Sequence, residues 1–160
     1  MSDQTAQRRS VRMSDDEAWA FVTSAHTGIL TTLRRDGYPI GLPIWFVVLD
    51  RRIYVSTRGK KVQRVRNDPR CSFLVEAGER WAELQAVHFT CEANVLDHLD
   101  DLLARRIAEE MNRKYAAFRT AAPAMPAATR EHYTRSAGAV IELTPHERIL
   151  TWDNKHLGLS

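Results

Sequence analysis

Hydrophobic and polar residues alternate along much of this chain with the period of two that is typical of β-strands. The clearest alternation covers residues 85–95. Its apolar positions are Val87, Phe89, Cys91, Ala93 and Val95. Shorter apolar or alternating runs predict six further strands, at residues 28–35, 38–49, 53–57, 71–75, 139–144 and 148–152. We therefore predict a mainly β protein with seven strands, most of them joined by tight turns.

Two longer segments have helical periodicity. Apolar residues recur at intervals of three and four between Asp97 and Arg119, which predicts an amphipathic packing helix. Ser14 and Glu17 have the spacing of a capping box, so a first helix is expected to begin there and end near His26. Residues 121–128 have the composition of a linker or lid, and Thr129 to Arg135 are expected to form one or two helical turns. Together the elements predict a closed antiparallel barrel with helices outside it.

The second predicted strand, residues 38–49, contains two prolines. Asp36 and Gly37 predict a two-residue hairpin turn before it. Pro39 and Pro43 cannot donate to a ladder, so the first half of the strand should be an edge or a bulge, and the apolar run 44–49 should be central. We expect backbone groups freed near Leu42 and Pro43 to be available to a planar ligand.

The composition is that of a single globular domain. The chain has 160 residues, of which 44% are hydrophobic, and a net charge of +3. Residues 1–13, which include Arg8, Arg9 and Arg12, are predicted to form a flexible arm before a domain at 14–160. No apolar run is long enough for a signal peptide or a membrane span, so we expect a cytoplasmic protein with no membrane partner. Cys71 and Cys91 lack metal-binding spacing and are expected to be buried thiols.

The most informative stretch is residues 53–69, where a strand ends in Ser56 and Thr57 and a short basic helix begins after Gly59. Between Arg51 and Arg70 there are eight Lys or Arg residues and one acid, Asp68. A strand that ends in hydroxyls and a glycine before a helix N-terminus offers unpaired N–H groups and positive charge to an anion. The alternative is a solvated basic surface on a connecting helix.

The sequence contains no recognisable catalytic constellation of its own. Its six histidines have no metal-binding spacing, and neither a GxSxG nor a GxGxxG motif is present. His88 falls on the polar face of a strand and is interpreted as a satisfied structural residue, with proton donor as the alternative. We therefore assign no catalytic or metal-binding residue and expect the chemistry to come from a cofactor.

Residues 28–75 bring these features together in an order that resembles the pyridoxamine 5'-phosphate oxidase-like split-barrel flavoproteins, in particular the branch that uses the deazaflavin coenzyme F-420. The likeness consists of an Asp-Gly turn, a proline-containing strand, a strand ending in Ser-Thr, a Lys/Arg helix and the sequence Asn-Asp-Pro-Arg. It extends over residues 14–95 and resumes at 148–153. The resemblance implies a six-stranded antiparallel split β-barrel of the FMN-binding type with outer helices. It also implies a homodimer with two cofactors between the subunits.

The resemblance also implies which residues hold the cofactor. The segment flanking the tricyclic ring corresponds to Leu42, Pro43, Ile44 and Trp45. Ser56 and Thr57 resemble the residues near the ribityl chain and the phosphate, and the phosphate clamp corresponds to Lys60, Lys61 and Arg64. Trp81 and Trp152 are candidates to complete the pocket from the partner subunit.

The leading interpretation is an oxidoreductase in which reduced coenzyme F-420 transfers a hydride to an electron-poor double bond of a small planar substrate. The polyglutamate tail of F-420 would gain from additional cations at Arg34, Arg35 and Arg58. The first alternative is an FMN-binding oxidoreductase or flavin reductase. The second is a non-catalytic binder of haem, another tetrapyrrole or single-stranded nucleic acid. It is the weakest of the three because only Tyr54 is interleaved with the basic run, and no nucleic-acid partner is expected. The pyridoxal-recognition segment of the oxidase is not found, so vitamin oxidation is not expected.

Overall fold

The computed structural model describes residues 10–135 and 138–158 and has seven antiparallel strands. The strands are β1 Gly28–Leu33, β2 Pro39–Ile44, β3 Val47–Leu49, β4 Arg52–Thr57, β5 Arg70–Ala77, β6 Gln85–Leu96 and β7 Ala139–Asp153. The α-helices are α1 Asp15–Ser24, α2 Lys60–Asn67, α3 Asp101–Tyr115 and α4 Ala127–Arg135. The prediction of a mainly β protein with peripheral helices is confirmed.

The strands form one sheet whose order is β2-β1-β5-β6-β7-β4-β3. The two edge strands are consecutive in the chain, since only Trp45 and Phe46 separate β2 from β3. Three steps of the backbone span at most about 11 Å, so the two edges of the sheet must approach each other and the sheet curls. This curled antiparallel sheet confirms the predicted split-barrel fold.

Two of the predicted strand boundaries were wrong, and the count of strands in the sheet is seven rather than the six expected of the split barrel. The segment 38–49 is two strands, because it leaves one edge of the sheet at Ile44 and joins the other edge at Val47. Its apolar run is therefore not central. Conversely, residues 139–153 form one continuous strand, because Pro145 lies at a register shift opposite Cys91 and does not end the pairing with β6.

The hairpin between β1 and β2 is longer than the predicted two-residue turn. The amide of Gly37 donates to the carbonyl of Arg34 and the amide of Arg34 donates to the carbonyl of Tyr38, both at 2.9 Å. Gly37 has a φ of +83°, which other residues rarely adopt. The loop is therefore a turn followed by a left-handed glycine.

The barrel interior holds the main core, with three phenylalanines that have no exposed surface: Phe46, Phe73 and Phe89. Helix α1 packs against this core through Trp19, whose ring lies 4.8 Å from that of Phe89. A second, smaller core lies between α3 and the outer face of β3 and β4, where Val47, Tyr54, Ile107 and Tyr115 are buried. Burial of each such side chain stabilises the fold by about 1.5–3 kcal/mol.

Helix boundaries follow the side-chain caps. The predicted capping box at Ser14 and Glu17 is present, and α1 begins at Asp15. The predicted helix over 97–119 is shorter, because the carboxylate of Asp100 caps the amide of Leu103 and starts α3 at Asp101. Its C-terminal part, residues 116–118, is a 3₁₀ turn.

Part of the predicted N-terminal arm lies along the end of β7. The carbonyl of Val11 accepts from the amide of Asp153 at 2.7 Å, and Met13 is buried. Arg8 and Arg9 lie outside the described residues. No helix within residues 10–135 and 138–158 has both the length and the hydrophobicity needed to cross a membrane.

The two cysteines lie directly opposite each other on β5 and β6. Cys91 is buried and Cys71 is partly buried, and both are free thiols. A hydrogen bond with Cys71, together with burial, raises the pKa of the Cys91 thiol. The Cys91 thiol therefore remains protonated at neutral pH, and both cysteines pack as small apolar groups.

Candidate functional site

The basic helix α2 begins with an open N-terminus. Gly59 precedes it with φ +70° and ψ −136°, and none of the described side chains caps the first turn. The first turn also contains no acidic residue. Free N–H groups and the positive end of the helix dipole are therefore available to an anion at this end.

A groove of about 670 Å³ lies between α2 and the β1–β2 hairpin. Its cationic lining consists of Arg34, Arg35, Lys60, Arg64 and Arg66, and none of its lining residues is acidic. We call it the basic groove. Cations from two elements that are far apart in the sequence thus converge on one cleft, which suits a phosphate or another polyanion.

Not all of these cations are equally available. Arg34 is paired with Asp36 at 2.6 Å, and Arg66 is paired with Asp97 at 2.6 Å. Within the described residues, Arg35, Lys60 and Arg64 form no ion pair. These three side chains are the candidates for binding an anion.

Arg64 is also held in place by the barrel. Its Nε donates to the hydroxyl of Thr32 at 2.9 Å, and Thr32 is itself buried. Val65, on the same helix, packs into the barrel core. The helix is therefore fixed against β1, so its cations have a defined position before any ligand arrives.

A second cavity, of about 1000 Å³, lies between α3, α4 and the end of β4. We call it the α3 cavity. Its apolar lining includes Trp45, Ile107, Met111, Phe118, Tyr133 and Val140. Its polar lining includes Ser56, Arg58, Asn112, Arg119 and Thr120. An apolar cavity with a few convergent polar groups has the character of a small-molecule site.

Trp45 is positioned at this cavity by the end of α3. Its ring stacks on that of Tyr115 with centroids 4.5 Å apart and an interplanar angle of 10°. Phe46 lies in the break between β2 and β3, so its backbone groups have no partner in the sheet. They are bonded instead by the hydroxyl of Tyr115 and by Nζ of Lys114, which lies 3.2 Å from the Phe46 carbonyl. We expected freed backbone near Leu42 and Pro43, but it lies at Phe46 and is already satisfied.

Lys114 is buried, being 8% exposed, and forms no ion pair within 4 Å among the described residues. Its Nζ lies 4.0 Å from the centroid of the Phe46 ring. Burial lowers the pKa of Lys114 to about 8. The negative charge of Glu110 offsets part of this desolvation, and the carbonyl and ring of Phe46 also favour the charged form.

The structure divides the residues that the sequence analysis assigned to the cofactor. Lys60 and Arg64 line the basic groove, and Trp45 and Ser56 line the α3 cavity. Lys61 and Thr57 are partly buried and line neither space. The remaining three residues, Leu42, Pro43 and Ile44, lie on the edge strand β2 opposite β1.

Several residues of these spaces were not assigned to the site from the sequence. Arg34 and Arg35 were considered only as additional cations for a polyglutamate tail, although their place beside the Asp36-Gly37 turn brings them to α2. The contributions of α3, including Met111 and Tyr115, were interpreted as packing alone. Their apolar periodicity is identical for a packing helix and for a helix that lines a pocket, so the sequence carries no signal that separates the two.

A row of four apolar residues and one histidine crosses the outer face of the sheet. Residues directly opposite one another on neighbouring strands share a face of the sheet. The strand register places five such residues in one line across β2, β1, β5, β6 and β7. They are Pro43, Ile29, Leu74, His88 and Leu150. We call this set the outer row. Leu150, at its end, is 51% exposed, and Nδ1 of His88 is buried without a hydrogen-bond partner among the described residues. His88 is therefore not the satisfied residue that the sequence suggested.

The two tryptophans considered for the partner's pocket lie close to this row. Trp152 is 49% exposed and Trp81 is 59% exposed. The buried Asn154 connects them, because its amide donates to the carbonyl of Trp81 and its carbonyl oxygen accepts from Nε1 of Trp152 at 2.6 Å. A side chain with no exposed area thus holds the Trp152 indole and the backbone of Trp81 at the surface.

Comparison with known proteins agrees with this architecture. The family model described as pyridoxamine 5'-phosphate oxidase matches residues 14–151. The conserved hypothetical protein Rv2991 from Mycobacterium tuberculosis is 28% identical and superimposes with a TM-score of 0.76, covering 98% of this chain and 94% of that one. No curated protein matches the sequence.

More distant structures share the fold alone. The haem storage protein HutZ from Vibrio cholerae is 13% identical, with a TM-score of 0.65 and coverage of 86% of this chain and 94% of that one. An FAD-binding protein from Mesorhizobium loti is 17% identical, with a TM-score of 0.59 and coverage of 87% and 92%. Proteins of this fold therefore include both flavin binders and haem binders.

Proposed function

Because the chain belongs to the pyridoxamine 5'-phosphate oxidase family, we propose that it is an oxidoreductase that uses coenzyme F-420. In this proposal a hydride passes from the reduced deazaflavin to an electron-poor double bond of a small planar substrate. The phosphate-bearing part of the cofactor binds in the basic groove, and the ring lies towards the α3 cavity.

The observation that carries the proposal is the relation between the two cavities. Ser56 lines the α3 cavity and Lys60, four residues later, lines the basic groove. Four residues span at most about 14 Å, so one elongated molecule can reach from the cationic groove to the apolar cavity. A phosphorylated tricyclic cofactor has this combination of an anionic handle and an apolar ring.

The residues that line the two cavities fit a phosphorylated tricyclic cofactor. Arg35, Lys60 and Arg64 supply positive charge that no described acid neutralises, and the uncapped N-terminus of α2 adds N–H donors. Trp45 offers an indole that is already stacked on Tyr115 and is 39% exposed. These side chains would bind and orient the cofactor, while the apolar lining of the α3 cavity would exclude water from the reacting face.

FMN is the principal alternative cofactor. It carries one phosphate, which the three available cations of the basic groove would satisfy without help from Arg34 or Arg58. The flavin-binding relatives of the same fold support this alternative.

Haem is a second alternative, supported by a haem storage protein of the same fold. In the described residues, no cluster of three or more His, Cys, Asp or Glu could hold a metal ion.

We further propose that the working form is a homodimer in the cytoplasm and that the outer row is covered by a second copy of the chain. The row crosses five strands, four of which contribute an apolar residue; it ends in an exposed leucine and contains the unsatisfied ring nitrogen of His88. Pro43, at its other end, belongs to the segment assigned to the cofactor ring. A partner subunit seated on the row would therefore lie beside the cofactor.

Titration of the purified full chain with F-420, FMN, FAD and haemin tests the proposal. We expect F-420 fluorescence to be quenched on binding, with a dissociation constant at least tenfold lower than that of FMN. Tighter binding of FMN would replace the deazaflavin assignment by the flavin alternative. Binding of haemin alone would overturn the oxidoreductase proposal.

A further inference from the structure

We propose that the α3 cavity is the substrate site and that it selects a flat, largely apolar molecule carrying an anionic group, such as an aromatic carboxylate. This inference rests on the proposed function, because it places the substrate beside the cofactor. It adds the chemical class of the substrate and the residue that recognises its charge.

The size and lining of the cavity define the apolar part of the ligand. A volume of about 1000 Å³ accommodates a molecule of two or three rings. Three aromatic side chains line it: Trp45, Phe118 and Tyr133. Flat rings stack favourably on such side chains, and the flexible Met111 and Met125 can adapt to the outline of the ligand.

The charge of the lining defines the polar part. Among the described residues that line the cavity there are two arginines, Arg58 and Arg119, and no acidic side chain. A cationic ligand would therefore be repelled by Arg119, whereas an anion would gain a charge-assisted hydrogen bond from it. The cavity is thus complementary to an anion in charge as well as to a ring in shape.

The two arginines have different roles. The guanidinium of Arg58 donates to the carbonyl of Tyr133 and lies 4.6 Å from the centroid of the Tyr133 ring, so it attaches α4 to the end of β4. Arg119 is exposed and forms no ion pair with any described residue. We therefore assign anion recognition to Arg119 and the positioning of α4 to Arg58.

The position of the cavity suits a substrate. Trp45 and Ser56 line it and also belong to the segments assigned to the cofactor ring and ribityl chain. A ligand in the cavity would thus contact the residues that border the cofactor. Its anionic end would lie towards the 3₁₀ turn after α3, where Arg119 is located.

Isothermal titration calorimetry of the full chain with three matched probes tests the charge preference. The probes are naphthoate, naphthalenemethanol and naphthylmethylammonium, each titrated with and without the cofactor that binds. We expect naphthoate to bind roughly tenfold more tightly than the alcohol, because a hydrogen bond to a charged group contributes more than one between neutral groups. The ammonium compound should bind most weakly. Equal affinities for all three probes would overturn the inference.

A pair of arginine variants tests the assignment of the charge. Arg119→Ala should bring the affinity for naphthoate down to that for the alcohol. The matched control is Arg105→Ala, which removes an exposed arginine of α3 that does not line the cavity. A tenfold preference for naphthoate that survives in Arg119→Ala would remove the proposed role of this residue.

Filling the cavity tests the location. Ala108 lines the cavity and is exposed on α3, so Ala108→Phe should weaken naphthoate binding at least tenfold. Ala117→Phe, outside the cavity lining, is the size-matched control. If circular dichroism shows that Ala108→Phe does not fold, Thr120→Phe is the second cavity-blocking variant, because Thr120 also lines the cavity. Unchanged naphthoate binding in a folded blocking variant would place the ligand elsewhere and refute the inference.

The two proposals can fail separately. Naphthoate binding without binding of F-420 or FMN would overturn the proposed function, and the cavity would be a binding site but not a substrate site. Cofactor binding without naphthoate binding, in either state of the protein, would overturn the present inference alone.

Discussion

The hydroxyl of Tyr115 accepts a hydrogen bond from the amide of Phe46 at 2.9 Å, although the two residues are 69 positions apart in the chain. The same oxygen lies 2.7 Å from the carbonyl of Phe46 and 2.8 Å from that of His26, to either of which its proton can be donated. One side chain on α3 thus replaces the ladder partners that Phe46 loses where the strand is broken.

Tyr115→Phe is expected to destabilise the fold. The change would leave the buried amide of Phe46 without its partner, and a buried unsatisfied polar group costs about 1–3 kcal/mol. Urea denaturation should show the free energy of unfolding reduced by this amount. The control is Tyr38→Phe, whose side chain is 69% exposed and whose loss of a hydroxyl should change stability by less than about 0.5 kcal/mol. Equal stability of both variants would mean that the hydrogen bonds of Tyr115 contribute nothing net.

Lys114 is expected to make stability rise with pH. Burial lowers its pKa to about 8, and the lysine of the unfolded chain titrates near 10.4. Between these values the unfolded state binds more protons than the folded state, so the free energy of unfolding increases as the pH rises. We expect a gain of about 2 kcal/mol between pH 7.5 and 9.5 relative to Lys114→Met, measured by urea denaturation at each pH.

This window stays below the range in which tyrosines complicate the measurement. Burial raises the pKa of Tyr115 to about 12, whereas tyrosines of the unfolded chain ionise near pH 10. Above pH 10 that difference lowers stability. If the free energy of unfolding changed with pH in the same way in the wild type and in Lys114→Met below pH 9.5, the effect could not be assigned to Lys114.

Gly28→Ala tests a close approach inside the barrel. A Cβ atom at Gly28 would lie 2.2 Å from Cζ of Phe73, whose ring is fully buried and in edge contact with that of Phe46. Since the ring cannot move without disturbing the core, we expect a loss of about 1–3 kcal/mol in thermal or chemical unfolding. Gly138→Ala is the control, because its Cβ would meet only Nη2 of Arg58 at an ordinary 3.8 Å. A neutral Gly28→Ala would show that the barrel interior is looser than the packing indicates.

Lys60→Ala is expected to weaken binding of the cofactor that the protein takes up, by roughly tenfold, because it removes one charge-assisted contact to the phosphate. Fluorescence titration measures this change. The rate of the chemical step with saturating cofactor should change much less, since Lys60 lies on the groove and not in the α3 cavity. Arg105→Ala is the charge-matched control. Unchanged cofactor affinity in Lys60→Ala would count against the phosphate clamp.

Leu150→Glu is expected to separate the proposed homodimer. It would place a charge on the exposed end of the outer row, where desolvation by a partner subunit would be costly. Sedimentation velocity should show a dimer for the wild type and a monomer for the variant. Leu102→Glu, at a 63% exposed position of α3, should remain dimeric. A monomeric wild type at micromolar concentration would refute the homodimer.

Much of the fold was predictable from local patterns. The alternation over 85–95 gave β6 almost to the residue, and the basic helix at 60–67 and the capping box at Ser14 were found as expected. These features depend on neighbours within a few positions, which a single sequence displays directly. Lys60 and Arg64 could likewise be placed on one helical face from their spacing of four.

The site was predictable only in part. The basic run predicts an anion site, but the presence of Arg35 in the basic groove depends on the β1–β2 hairpin, which approaches α2 only in the folded sheet. Trp45 was assigned with Leu42, Pro43 and Ile44 as one strand segment, yet it lies after the break and faces the α3 cavity. No local pattern distinguishes a strand that continues from one that crosses to the opposite edge.

The sequence by itself therefore determined most of the strands, the basic helix and the positive charge of the groove beside it, because hydrophobic periodicity and charge are local properties. The tertiary structure alone decided that β2 and β3 lie at opposite edges of one sheet, that Tyr115 and Lys114 satisfy the break between them, and that α3 forms a cavity beside Trp45. The physical reason is that these contacts join residues about 70 positions apart, and their formation depends on how the curled sheet brings its edges together.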